Sequence, residues 1–366
     1  MSELPTVAPS ELTGYLASRG WRRADTWRGA IVWSLDASCH LLVPDRREYD
    51  DDDELLAEAV HKLAAYEARP EQEVLLDIAE PMVDTQYYRT FPETPSGTIP
   101  LTSGLKVVQG IHDLMKTTAR TVLEGPHLLF EGRRGQTVDN FLHQVRLGAA
   151  RPGSYILTAR VPLSNTKKTQ GELFEANISG RDVSRCLRTA LEAAHTAAIT
   201  AVNEGQRTDF FDEQVEHGVS ANLCKALADL GGSSKNRPFE VGFSWGREQV
   251  EGERNEPISF TGPMTSALAR AGRELEDLAK SGDAQIIGRV ESLSQRQGEG
   301  PKIKIVGELR TTANVVRRAL WIVVTSDQYD AAFEAQRLRQ DLEVRGRLVT
   351  TQRRLEMRPE SFHVRE

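Results

Sequence analysis

One sequence pattern in this chain could supply a catalytic nucleophile, the Gly-x-Ser-x-Gly match at Gly242-Phe-Ser-Trp-Gly246. A nucleophilic serine of this kind lies on a sharp turn from a strand into a helix, and a histidine must accept its proton. Residues 247–257 are charged and have no helical apolar period, and His363 is the only histidine that follows. We therefore interpret Ser244 as an ordinary strand residue and not as the nucleophile of a hydrolase.

Carboxylates are concentrated between Asp45 and Glu54, where oxygen ligands for a hard divalent cation could gather. The run lacks the alternating acidic spacing and the glycine of a calcium-binding loop. It stands directly before an apolar helical period that begins at Leu55, and acidic side chains stabilise the positive end of a helix dipole. The run therefore predicts the start of a helix and not a metal site.

A metal-dependent nuclease would need acidic residues and a lysine that converge on a metal ion and the scissile phosphate. The candidates in the middle of the chain are Asp113, Asp139, Lys167 and Glu172. No acidic residue on a predicted strand is followed two places later by a lysine, the spacing that such sites usually show. A divergent nuclease, or another enzyme with its site in the middle domain, stays the alternative hypothesis.

Zinc ligands are equally sparse. His217 and Cys224 lie seven residues apart, but Gly218 is expected to separate His217 from the helix, and Cys186 and His195 are the remaining candidates. A structural zinc site takes four ligands, which typically lie in closely spaced pairs. The glycine-rich motifs of the P-loop and the Rossmann fold are also missing. The residues thus predict no metal and no other cofactor, and they favour a non-catalytic role.

The composition indicates a folded, acidic protein with more than one domain. The chain has 366 residues, a formal net charge of −7, and 39% hydrophobic against 27% charged residues. Three cysteines are too few for a disulfide framework, which indicates a reducing cytoplasm. The first residues do not resemble a signal peptide, and no apolar stretch reaches the roughly 18 residues of a membrane span. We therefore expect a cytoplasmic protein with no membrane contact.

Helical and strand periods along the chain predict a multidomain α+β protein. Residues 1–80 predict a small α+β domain, because a tryptophan-rich hairpin is flanked by helical periods. Residues 81–103 contain four prolines and no lasting period, which predicts a linker. Residues 104–282 mix strands and helices without regular alternation, which predicts a mixed α/β middle domain. Strands are expected there at 127–130, 154–161, 172–178, 239–245 and 258–260.

The last segment, residues 283–366, has the clearest pattern. Its order is three strands, a helix and two strands, which predicts an OB-like five-stranded β-barrel with its helix between the third and fourth strands. The strands are expected at 284–293, 302–306, 318–324, 342–349 and 355–364, and the helix begins near Asp327.

Oligonucleotides bind OB-folds across the second and third strands, where phosphates require basic side chains and bases require an aromatic surface. The barrel segment has 15 basic and 12 acidic residues, whereas the rest of the chain has 31 and 41. The predicted nucleic-acid-binding residues are Lys302, Lys304, Arg310, Arg317, Arg318 and Trp321.

Two other interpretations of this surface stay open. Trp321 alternates with Ala319 and Val323, and such an apolar face is equally typical of a barrel core. Small barrels also serve as protein-docking modules, so the fold alone does not identify the ligand.

The chain resembles an uncharacterised family of bacterial multidomain proteins that end in an OB-like barrel. The resemblance lies in Gly20-Trp21, Ile31-Val-Trp33, Gly218-Val-Ser-Ala-Asn-Leu-Cys224 and the barrel segment. It implies an origin in anti-phage or mobile-element loci, with partners among the other subunits of a multi-gene system, and it assigns no catalytic residue. The predicted function is that of a non-catalytic component of a bacterial complex in anti-phage defence, which binds DNA, RNA or a protein partner through its barrel.

Overall fold

The computed structural model describes residues 7–36, 39–133, 135–148, 155–163, 178–205, 207–246, 256–295, 300–312, 314–351 and 354–365. The chain divides into two compact units. The first unit takes Met1–Thr85, Arg160–Ser164 and Phe243–Asn255, and the second takes Gln86–Ala159, Asn165–Gly242 and Glu256–Glu366. The division at residues 80, 103 and 282 that the sequence indicates stays a prediction.

The first unit combines a three-stranded sheet with three helices. Its elements in chain order are α1 (Pro9–Ser18), β1 (Arg22–Trp27), β2 (Ala30–Ser34), β3 (His40–Pro44), α2 (Asp52–Tyr66) and α3 (Glu71–Ala79). The strands are antiparallel in the order β1-β2-β3. The hairpin of β2 and β3 is confirmed. No sequence pattern indicates β1, because all six of its residues are exposed and apolar and polar residues do not alternate along it.

The core of the first unit lies between the helices and one face of this sheet. Ile31 and Trp33 alternate along β2, Leu41 and Val43 alternate along β3, and all four are buried. The helical residues of the same core include Leu12, Leu16, Leu56, Val60, Leu63, Val74 and Ile78. Burial of these side chains is the main force that holds the helices on the sheet.

The acidic run before α2 serves the helix, as the sequence predicts. Asp52 is the first residue of α2, and its Oδ2 accepts hydrogen bonds from the backbone N–H groups of Glu48 and Tyr49 at 2.7 Å each. Asp53 and Glu54 lie in the first turn, at the positive end of the helix dipole.

A buried ionic cluster in the first unit joins residues that are far apart in the chain. Asp77 on α3 is buried, and its carboxylate accepts hydrogen bonds from Arg160 Nη1 at 3.0 Å and from Arg69 Nη2 at 2.5 Å. Arg160 also forms an ion pair with Glu80 at 3.1 Å. Because each charge faces an opposite one, the cost of removing these groups from water is offset.

The second unit has a helical part, and its longest helices have 24 residues each. Its helices are α4 (Leu101–Glu124), α5 (Gln136–Gln144), α6 (Gly180–Asn203), α7 (Asp209–Asp212), α8 (Ala221–Leu230) and α9 (Gly262–Lys280), with a 3₁₀ turn at Val215–His217. Within the described residues, no helix combines the length and the apolar character needed to cross a bilayer.

A five-stranded sheet has the order β5-β6-β4-β7-β8. Its strands are β4 (Val83–Thr90), β5 (Arg146–Leu147), β6 (Tyr155–Pro162), β7 (Phe239–Ser244) and β8 (Ile258–Phe260). The strand β4 lies inside 81–103, where the sequence shows no period. Its buried side chains include Asp84, Thr85, Gln86 and Thr90, which are polar. Apolar and polar residues therefore do not alternate along β4, and the sequence pattern does not predict a strand there.

Two other predicted strands in this region have different outcomes. Residues 127–130 have irregular structure. The side chain of Asn222 forms hydrogen bonds with both backbone groups of Phe130, which are then not available to a neighbouring strand. Oδ1 of Asn222 accepts a bond from the Phe130 N–H at 2.8 Å, and Nδ2 of Asn222 donates one to the Phe130 carbonyl at 3.2 Å. The prediction of a strand there is wrong. Residues 172–177 of the other predicted strand lie outside the described residues.

The C-terminal segment forms a closed five-stranded barrel. Its elements are β9 (Asp283–Ser294), β10 (Lys302–Thr311), β11 (Val315–Val323), α10 (Ser326–Leu338), β12 (Asp341–Thr350) and β13 (Leu355–Arg365). The strand order around the barrel is β10-β11-β13-β12-β9, with β11 and β13 parallel and the other neighbours antiparallel. The predicted OB-like barrel, with its helix after the third strand, is confirmed.

Apolar residues fill the barrel and polar residues cover its outer face. Alternate residues of β10, namely Ile303, Ile305 and Leu309, are fully buried, as are Leu342 and Val344 on β12. Gly288 of β9 pairs with Gly307 of β10 in the register. The two backbones approach each other so closely there that neither position has room for a Cβ. The strands can therefore coil tightly enough to close the barrel.

Candidate nucleic-acid interface

The register of β10 and β11 decides which of the predicted binding residues meet. Lys302 pairs with Val323 and Lys304 with Trp321, near one end of the strands. At the other end Arg317 pairs with Glu308, and Arg310 forms an exposed ion pair with Glu308 at 3.2 Å. The structure thus brings Lys302, Lys304 and Trp321 together, and it places Arg310 and Arg317 apart from them.

Trp321 lies on the outer face of the barrel and is half-buried. Its neighbours Leu320 and Ile322 point into the core and are buried, so Trp321 points the other way. The guanidinium carbon of Arg354 lies 4.4 Å from the centroid of the Trp321 ring, which is cation–π geometry. A half-buried aromatic ring on an outer face, with a stacked arginine, is a kind of surface on which a nucleic-acid base packs.

A carboxylate links the two cations beside this tryptophan. Glu356 on β13 is next to Trp321 in the register, and its Oε1 accepts hydrogen bonds from Lys302 Nζ at 2.9 Å and Arg354 Nε at 3.0 Å. Glu356 therefore positions both Lys302 and Arg354 beside Trp321.

Lys304 is held differently, although it pairs directly with Trp321. Its Nζ forms ion pairs with Glu213 at 2.7 Å and with Glu291 at 3.2 Å, and its side chain is only 13% exposed. Burial by itself lowers the pKa of Lys304, but hydrogen bonds and charge from Glu213 and Glu291 outweigh it and raise the pKa above its ordinary value. Lys304 is therefore a charged residue whose charge is already balanced within the chain.

Arg318, one of the predicted nucleic-acid-binding residues, does not face solvent. It lies on the same strand face as Leu320 and Ile322, is completely buried, and forms an ion pair with Asp212 of α7 at 2.7 Å. Burial raises the pKa of Asp212 to about 7, Arg318 opposes the rise, and the charges of Asp209 and Glu213 add to it. The pair connects the barrel to the helical part of the second unit, so a phosphate cannot reach Arg318 in this arrangement.

Two arginines that sequence reasoning missed lie on the adjacent strands of the same outer face. Arg347 of β12 and Arg358 of β13 stand directly opposite each other in the register, and both are exposed. Neither has a hydrogen-bond or ion-pair partner among the residues that the structure describes. The alternation of Arg345 and Arg347 was visible in the sequence, but only the pairing of β12 with β13 shows that Arg358 lies beside Arg347.

Ser244 has a contact that argues against its use as a nucleophile. It is the last residue of β7, and its Oγ accepts a hydrogen bond from Arg19 Nη2 at 2.8 Å, within the first unit. A guanidinium stays protonated at neutral pH and cannot serve as the general base that a nucleophilic serine needs.

In the described part of the chain, no group of three or more His, Cys, Asp or Glu side chains is arranged to hold a metal ion. Cys224 is buried, and burial raises the pKa of its thiol to about 12, so it is not a thiolate at neutral pH.

Comparison with known proteins gives no relative: no protein-family model matches the chain, and no curated protein is a significant match.

Proposed function

We propose that the barrel binds single-stranded nucleic acid across the outer face of β10, β11, β13 and β12. The observation that carries the proposal is the pair of exposed arginines, Arg347 and Arg358, which stand opposite each other in the register of β12 and β13, with Asp283 of β9 as the neighbour of Arg347 on its other side. Like charges directly opposite on a sheet are destabilising. An anionic ligand that binds both guanidinium groups would remove this repulsion, and the phosphates of a nucleic-acid strand have that chemistry.

The surrounding residues extend this pair into a track, the cationic row, which we define as Lys302, Arg358 and Arg347. From β10 across β11 and β13 to β12 the row spans three strand spacings of about 4.8 Å, or about 14 Å. The Trp321–Arg354 stack lies beside it and offers a surface for a base. OB-folds bind oligonucleotides on the second and third strands and on the loop that joins the last two strands. Lys302 and Trp321 lie on the second and third strands, and Arg347 and Arg358 lie on the two strands that this loop joins.

The wider role is also part of the proposal. We propose a non-catalytic, cytoplasmic component of a multi-subunit bacterial complex in anti-phage defence, with the other subunits as partners and DNA or RNA as the ligand. The supporting observations are the resemblance carried by the N-terminal tryptophan motifs and 218–224, the three scattered cysteines, and the barrel.

Charge reversal at the opposed arginines is the decisive test. We expect Arg347→Glu/Arg358→Glu to weaken binding of a single-stranded oligonucleotide at low salt by more than about tenfold. Since each neutralised phosphate contributes about 0.7 to the slope of log affinity against log salt, the slope should become flatter by about 1.4. Both side chains are exposed, so thermal unfolding should be unchanged. The measurement is fluorescence anisotropy between 50 and 200 mM salt, a range over which phosphate contacts dominate the change in affinity.

A matched control changes the net charge equally at another surface. Arg46→Glu/Lys62→Glu reverses two exposed cations of the first unit. Unlike the opposed arginines, each of these two cations pairs with a glutamate. This variant should bind like the wild type. An equal loss in both variants would show that only net charge matters and would contradict a defined interface.

Trp321 provides a second test through stacking instead of charge. We expect Trp321→Ala to cost about 1–3 kcal/mol of binding free energy, because a base loses its aromatic surface. A half-buried outer tryptophan should cost less folding stability than the roughly 3–5 kcal/mol of a core tryptophan. Binding and urea unfolding measured on the same protein separate the two effects. A large loss of stability with unchanged binding would show that Trp321 is a structural core residue and not a surface for a base.

The same assays distinguish the alternatives. If the wild type binds neither DNA nor RNA at low salt, alone or with proteins purified from its native host, the nucleic-acid proposal fails and the barrel is a protein-docking module. If the oligonucleotide is degraded in the presence of Mg²⁺ or Mn²⁺, and one carboxylate substitution abolishes the degradation, the alternative of a metal-dependent nuclease in the middle domain replaces it.

A further inference from the structure

Lys304 lies on the proposed binding face but is already paired with carboxylates of the same chain. It lies beside Trp321 on the face where OB-folds bind nucleic acid, and a lysine at that position would ordinarily contact a phosphate. Here two carboxylates, Glu213 and Glu291, lie within ion-pair distance of its Nζ. One of them, Glu213, comes from the chain immediately after α7 and not from the barrel.

The segment that supplies Glu213 is firmly fixed. We call residues 209–213 the acidic turn, since Asp209, Asp212 and Glu213 are three of its five residues. Asp212 is tied to Arg318 of β11 by the buried ion pair at 2.7 Å. Asp209 is buried and paired with Arg207 at 2.7 Å, and Arg207 reaches Glu291 of β9 at 3.8 Å. Each acidic side chain of the turn is therefore engaged with a basic one.

The acidic turn presents to Lys304 what a nucleic-acid strand would present, namely a negative charge within ion-pair distance of Nζ. The adjacent residue Asp212 pairs with Arg318 on the buried face of β11 and so fixes the turn beside the barrel. A phosphate brought to Lys304 would have to displace carboxylates that are held in place and would be repelled by them. In a partly buried site this repulsion is screened less than it would be in water.

We propose that the acidic turn is an intramolecular phosphate mimic that closes the Lys304 side of the barrel face, so that a bound strand ends beside Trp321. This inference rests on the proposed function. It limits the length of nucleic acid that the barrel contacts to the cationic row, which is about 14 Å long. The oligonucleotide footprint should then lie at the short end of the range of about 4–16 nucleotides that OB-folds cover.

The test removes the negative charges and leaves the shape. In Glu213→Gln/Glu291→Gln, Lys304 keeps its surroundings but loses its counter-charges, so it can neutralise a phosphate. We expect tighter binding of a single-stranded oligonucleotide at low salt and a salt slope steeper by about 0.7, which corresponds to one more phosphate. The control Glu58→Gln/Glu71→Gln removes two acidic charges in the first unit, where Glu58 pairs with Lys62 and Glu71 lies 3.4 Å from a ring nitrogen of His61, and it should leave the slope unchanged.

A second variant keeps the inference testable if the double glutamine protein folds poorly. Lys304→Met should leave the salt slope of the otherwise unchanged protein as it is, because Lys304 does not contact the ligand. Added to Glu213→Gln/Glu291→Gln, it should return the slope to the wild-type value.

The outcomes separate this inference from the proposal beneath it. If the wild type binds but the glutamine variant shows the wild-type slope, the mimic is refuted and the interface stands. If Lys304→Met alone flattens the slope by about 0.7, Lys304 contacts phosphate already and the mimic is again refuted. If neither the wild type nor any variant binds at low salt, the proposed function is wrong, and the inference that rests on it is wrong as well.

Discussion

Arg318→Ala should lower the free energy of unfolding by about 3–5 kcal/mol, the cost of removing one partner of a buried ion pair. Arg318 is completely buried, and Asp212 is its ion-pair partner at 2.7 Å. The substitution leaves the Asp212 carboxyl buried near Asp209 and Glu213 with no cation to balance it. Urea unfolding, followed by circular dichroism, measures the loss. A loss below about 1 kcal/mol would show that the pair does not hold the barrel to the helical part.

The cost should come from the unpaired charge and not from a lost contact surface, and a double variant checks this. Replacing both partners by apolar residues, as in Asp212→Leu/Arg318→Met, should recover most of the stability, because such exchanges of buried ion pairs are often neutral or stabilising. If the double variant is no more stable than Arg318→Ala, the loss has another cause, such as a cavity.

The loss caused by Arg318→Ala should also depend on pH. The pKa of Asp212 is about 7 in the folded protein, and Arg318 lowers it, so removal of Arg318 raises the pKa further. In the unfolded chain an aspartate has a pKa of about 3.9, so the folded state binds the proton more tightly. Stability from such a group is present at low pH and is lost as the pH rises through the folded pKa. The deficit of Arg318→Ala relative to the wild type should therefore be larger at pH 8 than at pH 5.

Gly307→Ala should destabilise the barrel by about 3 kcal/mol, the upper part of the range for overpacked cores. A Cβ at this position would collide with the carbonyl oxygen of Ile287 and lie 2.6 Å from the Cα of Gly288. Both neighbours are backbone atoms of β9, so no side chain can rotate away, and the two strands must separate. Faster amide exchange in β9 and β10, together with a lower urea midpoint, would report the separation.

A glycine outside the strand crossing provides the matched control. No atom lies within 4 Å of a Cβ built on Gly282, directly before β9. Gly282→Ala should therefore change stability by less than about 0.5 kcal/mol in either direction. Equal losses at Gly282 and Gly307 would mean that general loss of glycine, and not the close approach of β9 and β10, causes the effect.

Sequence pattern alone was sufficient to predict the barrel, because its strands alternate apolar and polar residues. Ile303 and Ile305 alternate with Lys302 and Lys304, and this alternation gives both the strand and its buried face. The strand β4 could not be found in the same way, since its buried positions hold residues such as Gln86, whose partner Ser184 lies 98 residues further along the chain.

The candidate site was predictable only where its residues are close in the chain. Lys302, Lys304 and Trp321 belong to neighbouring strands, and their proximity follows from the hairpin. The same alternation that puts Trp321 on one face puts Arg318 on the other, but its partner Asp212 is 106 residues away. No local pattern could reveal a buried ion pair of that kind. Arg358 was missed because its proximity to Arg347 depends on a register that only the folded barrel fixes.

The ionic cluster around Asp77 has a consequence for biosynthesis. Arg160 is added to the growing chain 83 residues after Asp77, and the first unit also includes residues 243–255. While the ribosome makes the intervening chain, the Asp77 carboxylate lacks one of its two arginine partners, and the first unit lacks its later segments. Contacts between residues so distant in sequence form slowly, and partly folded chains expose apolar surface. We therefore expect the nascent first unit to stay open, and to depend on chaperones, until more than half of the polypeptide has been synthesised.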